Sequence, residues 1–195
     1  MLEPYVMTFT AIFVAVDAIG NIPIFSALVE HLNGEKRRKV IRDAVVTATV
    51  MAVIFMIGGK FMLRLLGITI SDFQVAGGAF LFIMASRLLF PGEQRKHVSS
   101  DKDREIGIFP IGTPLVTGPA VLTTTLMMVD SYHIGPTFVA LVLNMLIVYI
   151  AFSKAEGIMK IFGQSGALAF AKVMYILLGS IGVMMIRHGL KGFLL

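Results

Sequence analysis

The sequence contains no cysteine, which excludes disulfides, thiolate metal sites and a catalytic thiol. Charge is sparse as well. Asp, Glu, Lys and Arg make up 15% of the residues, against roughly 25% in soluble domains. Neither a G-x-S-x-G elbow nor a Walker loop occurs, so ATP-driven transport by this chain alone is excluded. His31, His97, His133 and His188 never pair at ligand spacing, and no metal site is expected. The opening Met1-Leu2-Glu3-Pro4-Tyr5 lacks the basic region of a signal peptide, so the first apolar stretch is expected to remain as a span.

What is abundant is apolar surface. Hydrophobic residues account for 56% of the 195, and the mean hydropathy is +0.85. A small globule has too little interior to hide this much, whereas a bilayer accepts it. The net charge of +5 would suit nucleic acid, but the basic residues sit in short loops between apolar runs. That is the pattern of a membrane protein, and no nucleic-acid partner is expected.

Six apolar runs stand out, at about Tyr5–Leu32, Ala44–Leu66, Phe73–Phe90, Ile106–Val129, Ile134–Phe152 and Ala167–Ile186. Each approaches the ~20 residues a helix needs to cross the hydrocarbon. Their continuity favours helices over alternating barrel strands. The expected fold is therefore all-α and polytopic, with six transmembrane helices. Of the 17 Lys and Arg residues, all but Lys60, Arg64, Arg187 and Lys191 fall on one side of this arrangement. That side is expected to be cytoplasmic, with both termini outside the cell membrane.

The first and fourth runs are interrupted, near Gly20 to Pro23 and near Pro114 to Pro119. Gly20-Asn21-Ile22-Pro23-Ile24 and Val116-Thr117-Gly118-Pro119-Ala120 each place a polar residue two before a proline, with glycine close by. The two prolines are 96 positions apart, and the same shift lays the second run on the fifth and the third on the sixth. The chain thus divides into a three-helix repeat at 1–92, a linker at 93–105 and a second repeat at 106–195. An odd number of spans per half makes the second repeat inverted. Inverted repeats with discontinuous first and fourth helices are a secondary-transporter architecture, with the site where the breaks meet.

Proline removes a backbone donor and glycine relaxes the chain. Freed amides and carbonyls are tolerated in lipid only against protein, water or a guest. Resuming half-helices would offer partial positive charge to a carboxylate, and ending ones partial negative charge to an ammonium group or cation. The expected substrate-binding residues are Asp17, Gly20, Asn21, Ile22, Pro23, Thr113, Thr117, Gly118, Pro119 and Asn144. Asp17 either serves a guest amine, coupling cation or proton, or caps the second half-helix. Asn144, midway along the fifth run, either bonds another helix or lines the path. Asp17 has no second mid-membrane carboxylate for acid–base work, so an enzyme is not expected.

Asp17-Ala18-Ile19-Gly20-Asn21-Ile22-Pro23-Ile24-Phe25 resembles the first-helix signature of the MarC (UPF0056-type) family of multi-pass membrane proteins. Phe109-Pro110-Ile111-Gly112-Thr113-Pro114-Leu115-Val116-Thr117-Gly118-Pro119 resembles its fourth-helix signature, and Val75-Ala76-Gly77-Gly78-Ala79-Phe80-Leu81-Phe82 also matches. One position departs: the family usually has proline after the first Asp or Asn, where this chain has Ala18. The resemblance implies two inverted three-helix repeats. For SnatA-like members it implies transport of small neutral amino acids such as glycine and alanine, with no cofactor beyond a coupling proton or sodium ion. A channel-like facilitator of small uncharged solutes and a non-transporting membrane partner are the alternatives.

Overall fold

The computed structural model describes residues 2–30, 32–90, 107–161 and 163–192. The expected linker at 93–105, with His97, and also His31, lies outside the described residues. Among those described there are helices and no strand: α1 (Glu3–Val16), α2 (Asn21–Leu28), α3 (Gly34–Leu66), α4 (Ile70–Leu89), a π-helical α5 (Gly107–Val116), α6 (Pro119–Tyr132), α7 (Ile134–Ile161) and α8 (Gly163–Gly192). α3, α4, α7 and α8 are each long and apolar enough to cross a membrane. α1 and α2, bent by 44° across a short break, make a fifth span if counted together.

Three helices overrun the apolar stretches that announce them. α3 starts ten residues before Ala44, because Asn33 caps it by accepting the Lys36 amide (3.0 Å) and Glu35 sits in its first turn. The basic stretch Lys36 to Arg42 is thus helical. With 33 residues, α3 is about 50 Å long, well beyond a ~30 Å hydrocarbon core. α7 and α8 likewise pass their apolar ends. Hydropathy locates the part of a helix that lipid covers, whereas caps decide where it stops. Gly67, at φ 67°, ends α3, and a Thr69–Asp72 capping box starts α4 two residues later.

Packing between elements follows a reciprocal pattern. α1 lies on α7 and α5 on α3; α2 also packs on α7 and α6 on α3; α2 meets α8 and α6 meets α4. Each broken segment therefore leans on the long helices of the other half of the chain. The main core draws on both halves, with Ala44, Ala48 and Ala52 wholly buried at four-residue spacing on α3. Phe25 of α2 stacks on Phe152 of α7, ring centroids 4.3 Å apart. Arg37 pairs with Glu156 at 2.8 Å, joining the start of α3 to the end of α7, so the two run antiparallel. Lys60 pairs with Asp130 near the opposite end of α3.

α4 and α8 also run antiparallel and approach most closely. A Cβ at Gly78 would lie 2.5 Å from the Gly182 carbonyl, one at Gly182 2.6 Å from the Gly78 carbonyl, and one at Gly189 2.6 Å from the Ser71 carbonyl. Such backbone contact is how helices associate in lipid, where burying apolar side chains brings no gain. Gly182→Val must therefore separate the pair, at a cost of about 1–3 kcal/mol or more, read as a lowered melting temperature in detergent. Gly58→Ala, where a Cβ meets nothing within 4 Å, is expected to leave stability unchanged or raise it by up to ~1 kcal/mol.

Candidate functional site

The first break is built by two polar side chains. Asp17 adopts a left-handed conformation (φ 45°, ψ 53°) and ends α1 with its amide still bonded to the Phe13 carbonyl at 3.1 Å. Aspartate is among the few residues that accept this geometry. Its Oδ1 then accepts the Gly20 amide (3.1 Å), and its carbonyl accepts the Asn21 amide (3.1 Å). Asn21 answers by donating from Nδ2 to the Val16 carbonyl at 2.9 Å. The carboxylate lies so close that a Cβ at Gly20 would stand 2.2 Å from Oδ2. The chain is therefore interrupted over Asp17 to Gly20, earlier than expected. α2 resumes at Asn21, and Pro23 falls in its first turn, where a missing N–H leaves nothing unsatisfied.

The second break is built differently. Prolines at 110 and 114 remove the amide donor at two positions one turn apart, so a continuous i→i−4 ladder cannot form. The segment takes the wider π spacing, and the Thr117 amide closes it by donating to the Gly112 carbonyl, five residues back, at 3.1 Å. Gly118 is extended (φ −89°, ψ 177°), and Pro119 opens α6 with no side-chain cap. The first intrahelical bond comes only with Leu122, whose amide donates to the Gly118 carbonyl at 3.0 Å. The amides of Ala120 and Val121 precede it and belong to the free first turn. Pro119 is seated on Gly77 of α4, where a Cβ would lie 1.9 Å from its ring.

The two breaks meet at one cavity of about 40 Å³. Asp17, Gly20 and Asn21 border it from the first break, and Gly118, Ala120 and Val121 from the second. The remainder of the wall is apolar, with Ile24, Leu81, Leu115 and Leu178 among its members. No ion pair to Asp17 occurs among the described residues. The cavity is thus bordered by an acidic residue from the first break and, from the second, by a helix N-terminus with its partial positive charge. The breaks are not equivalent. In the first, Asp17 and Asn21 satisfy the main chain; in the second, α6 has no side-chain cap among the described residues.

Of the ten expected residues, four border this cavity: Asp17, Gly20, Asn21 and Gly118. Ile22 and Pro23 are buried in the core beside it, and Pro119 packs on Gly77. Thr113, in the π-helical turn, does not reach it. Thr117 is fully buried and points away, donating from Oγ1 to the Ala48 carbonyl of α3 at 3.0 Å. Asn144 lies at the α1–α7 contact, where Nδ2 donates to the Ala140 (2.9 Å) and Phe9 (3.3 Å) carbonyls. Both polar side chains tie a broken segment to a long helix. Residues not singled out in the sequence supply one side of the wall: Leu81 on α4 and Met174, Leu177, Leu178 and Ile181 on α8. Their i, i+3, i+4, i+7 spacing marks one face of α8, but an apolar face on a membrane helix resembles any lipid-facing one.

This placement separates fastening from binding. Thr117→Val, which keeps the shape and removes one hydrogen bond between helices, is expected to cost about 0.6–1.7 kcal/mol. Thermal unfolding in detergent should register the loss, with no change in affinity for any guest of the cavity.

A family model described as MarC family integral membrane protein matches residues 2–194. A UPF0056 membrane protein of Archaeoglobus fulgidus is 31% identical, covering 97% of this chain and 93% of its own length. One from Methanocaldococcus jannaschii is 28% identical, covering 100% of this chain and 99% of its own. Another, from Pyrococcus abyssi, is 28% identical over 98% of this chain and 96% of its own. No solved structure matches the chain. A match that runs nearly from end to end, with relatives of almost the same length, makes this chain a member of the MarC family of integral membrane proteins.

Proposed function

We propose that this protein is a SnatA-like secondary transporter that carries small neutral amino acids (glycine, alanine, serine or threonine) across the cell membrane by alternating access. The observation that carries the reading is the single cavity shared by both chain breaks. A zwitterion complements it. The substrate carboxylate faces the uncapped first turn of α6, at Gly118, Ala120 and Val121, and its ammonium group faces Asp17. The same carboxylate is the group available to a coupling proton or sodium ion.

The architecture behind this reading is six spans in two inverted repeats, with α1–α2 and α5–α6 as the discontinuous helices. Support comes from the reciprocal packing of α1 and α2 on α7 and of α5 and α6 on α3. The antiparallel pairs α3–α7 and α4–α8 also support it, because equivalent helices of inverted repeats must run in opposite directions. The distribution of lysine and arginine supports an orientation with the basic loops in the cytoplasm and both termini outside.

Counterflow in proteoliposomes tests the reading. Labelled glycine or alanine should accumulate against an excess of unlabelled internal substrate and saturate with concentration. Absence of exchange, with and without proton and sodium gradients, would refute a carrier. Asp17→Asn keeps a residue that accepts left-handed geometry and the Gly20 amide bond, but removes the charge. It should lower glycine exchange at least ~10-fold, the loss of one charge-assisted contact of roughly 1.5–3 kcal/mol, while the protein remains folded.

A further inference from the structure

The apolar wall opposite the two breaks is held by helices that cannot easily yield. On α8, Met174, Leu177, Leu178 and Ile181 face the cavity, while Gly179 and Gly182 face α4. On α4, Leu81 faces the cavity, one turn from Gly77, which abuts Pro119, while Gly78 and Phe82 meet Gly182. α4 is therefore in backbone contact with α8 on one side and seated against the second break on the other. Leu81 and Leu178, 5% and 8% exposed, also belong to one packed cluster with Ile24 and Leu115. Close-packed interiors have little slack to absorb extra atoms.

The space left is small. At ~10–15 Å³ for each water that a cavity can hold, it accommodates on the order of three. A zwitterion with its carboxylate at α6 and its ammonium at Asp17 uses the polar end with those two groups. Its remaining substituent is then directed at the leucine wall. We infer that Leu81 and Leu178 form a size sieve, which admits an amino acid carrying a hydrogen, a methyl or a hydroxymethyl group and rejects branched side chains. This inference rests on the amino-acid reading above, narrows it to glycine, alanine and serine by excluding threonine, which has valine's shape, and names the residues that set its limit. Leucine neither donates nor accepts hydrogen bonds, so the sieve acts by volume alone.

Exchange of glycine and valine, measured side by side in proteoliposomes, tests it. The unmodified protein should exchange glycine and almost no valine. Leu178→Ala should raise the valine-to-glycine ratio by ~10-fold or more, the scale of discrimination that one or two methylenes give in an apolar pocket. Leu81→Ala, on the other helix, should do the same and serves if the first variant does not fold. Leu178→Phe should lower the alanine-to-glycine ratio. If either alanine variant folds and exchanges glycine but the ratio stays at the unmodified value, the sieve is overturned and the carrier reading stands. If the unmodified protein exchanges no amino acid at all, both fall together.

Discussion

In a bilayer every backbone amide and carbonyl must find a partner within the protein, because lipid offers none and each failure costs several kcal/mol. The rest of this structure depends on how that demand is met at two interruptions. At the first, the chain satisfies itself: Asp17 takes the Gly20 amide and Asn21 takes the Val16 carbonyl. At the second, prolines at 110 and 114 force a π-helical turn, and α6 begins without a cap. One break is closed by its own side chains and the other presents amides to a space.

The long helices turn this local chemistry into a shaped site. Thr117 is tied to α3 and Asn144 ties α7 to α1, so each broken segment is fastened to a helix from the opposite half. α4 and α8 form a slab in backbone contact, and Gly77 seats Pro119 against it. The polar end of the cavity is thus made by short segments with strained or widened geometry, and the apolar end by rigid helices. An alternating-access cycle on this frame would move the fastened segments against the slab, exposing the same polar end first to one side and then to the other.

The sequence made the membrane class, the two interruptions and Asp17, Gly20, Asn21 and Gly118 legible, because charge, proline and glycine inside apolar runs have few explanations. It misjudged details set by geometry. The first break ends at Gly20 and α2 resumes at Asn21, whereas a proline-centred reading resumes the helix only after Pro23. Thr117 looks like a binding group from composition, yet a polar side chain in lipid is satisfied first by the nearest carbonyl, here on another helix; Asn144 takes the helix-bonding alternative that its position also offered. The leucine wall stayed invisible, since nothing in Leu81 or Leu178 distinguishes a cavity-facing residue from a lipid-facing one. Helix ends beyond the apolar runs were likewise hidden, because Asn33, Gly67 and Thr69 act through capping geometry rather than hydropathy.

The central claim is that residues on either side of the two breaks border one space within the folded chain. The chain has no native cysteine, so a thiol pair can be placed there without background. Ala15 and Ala120 both border the cavity, one from each break. Cysteines at both positions, treated in native membranes with a short bifunctional thiol reagent, should yield an intramolecular link between α1 and α6, seen as one joined peptide by mass spectrometry. If each cysteine alone reacts with a small thiol reagent but the pair never becomes linked, the breaks do not share a cavity and the account fails.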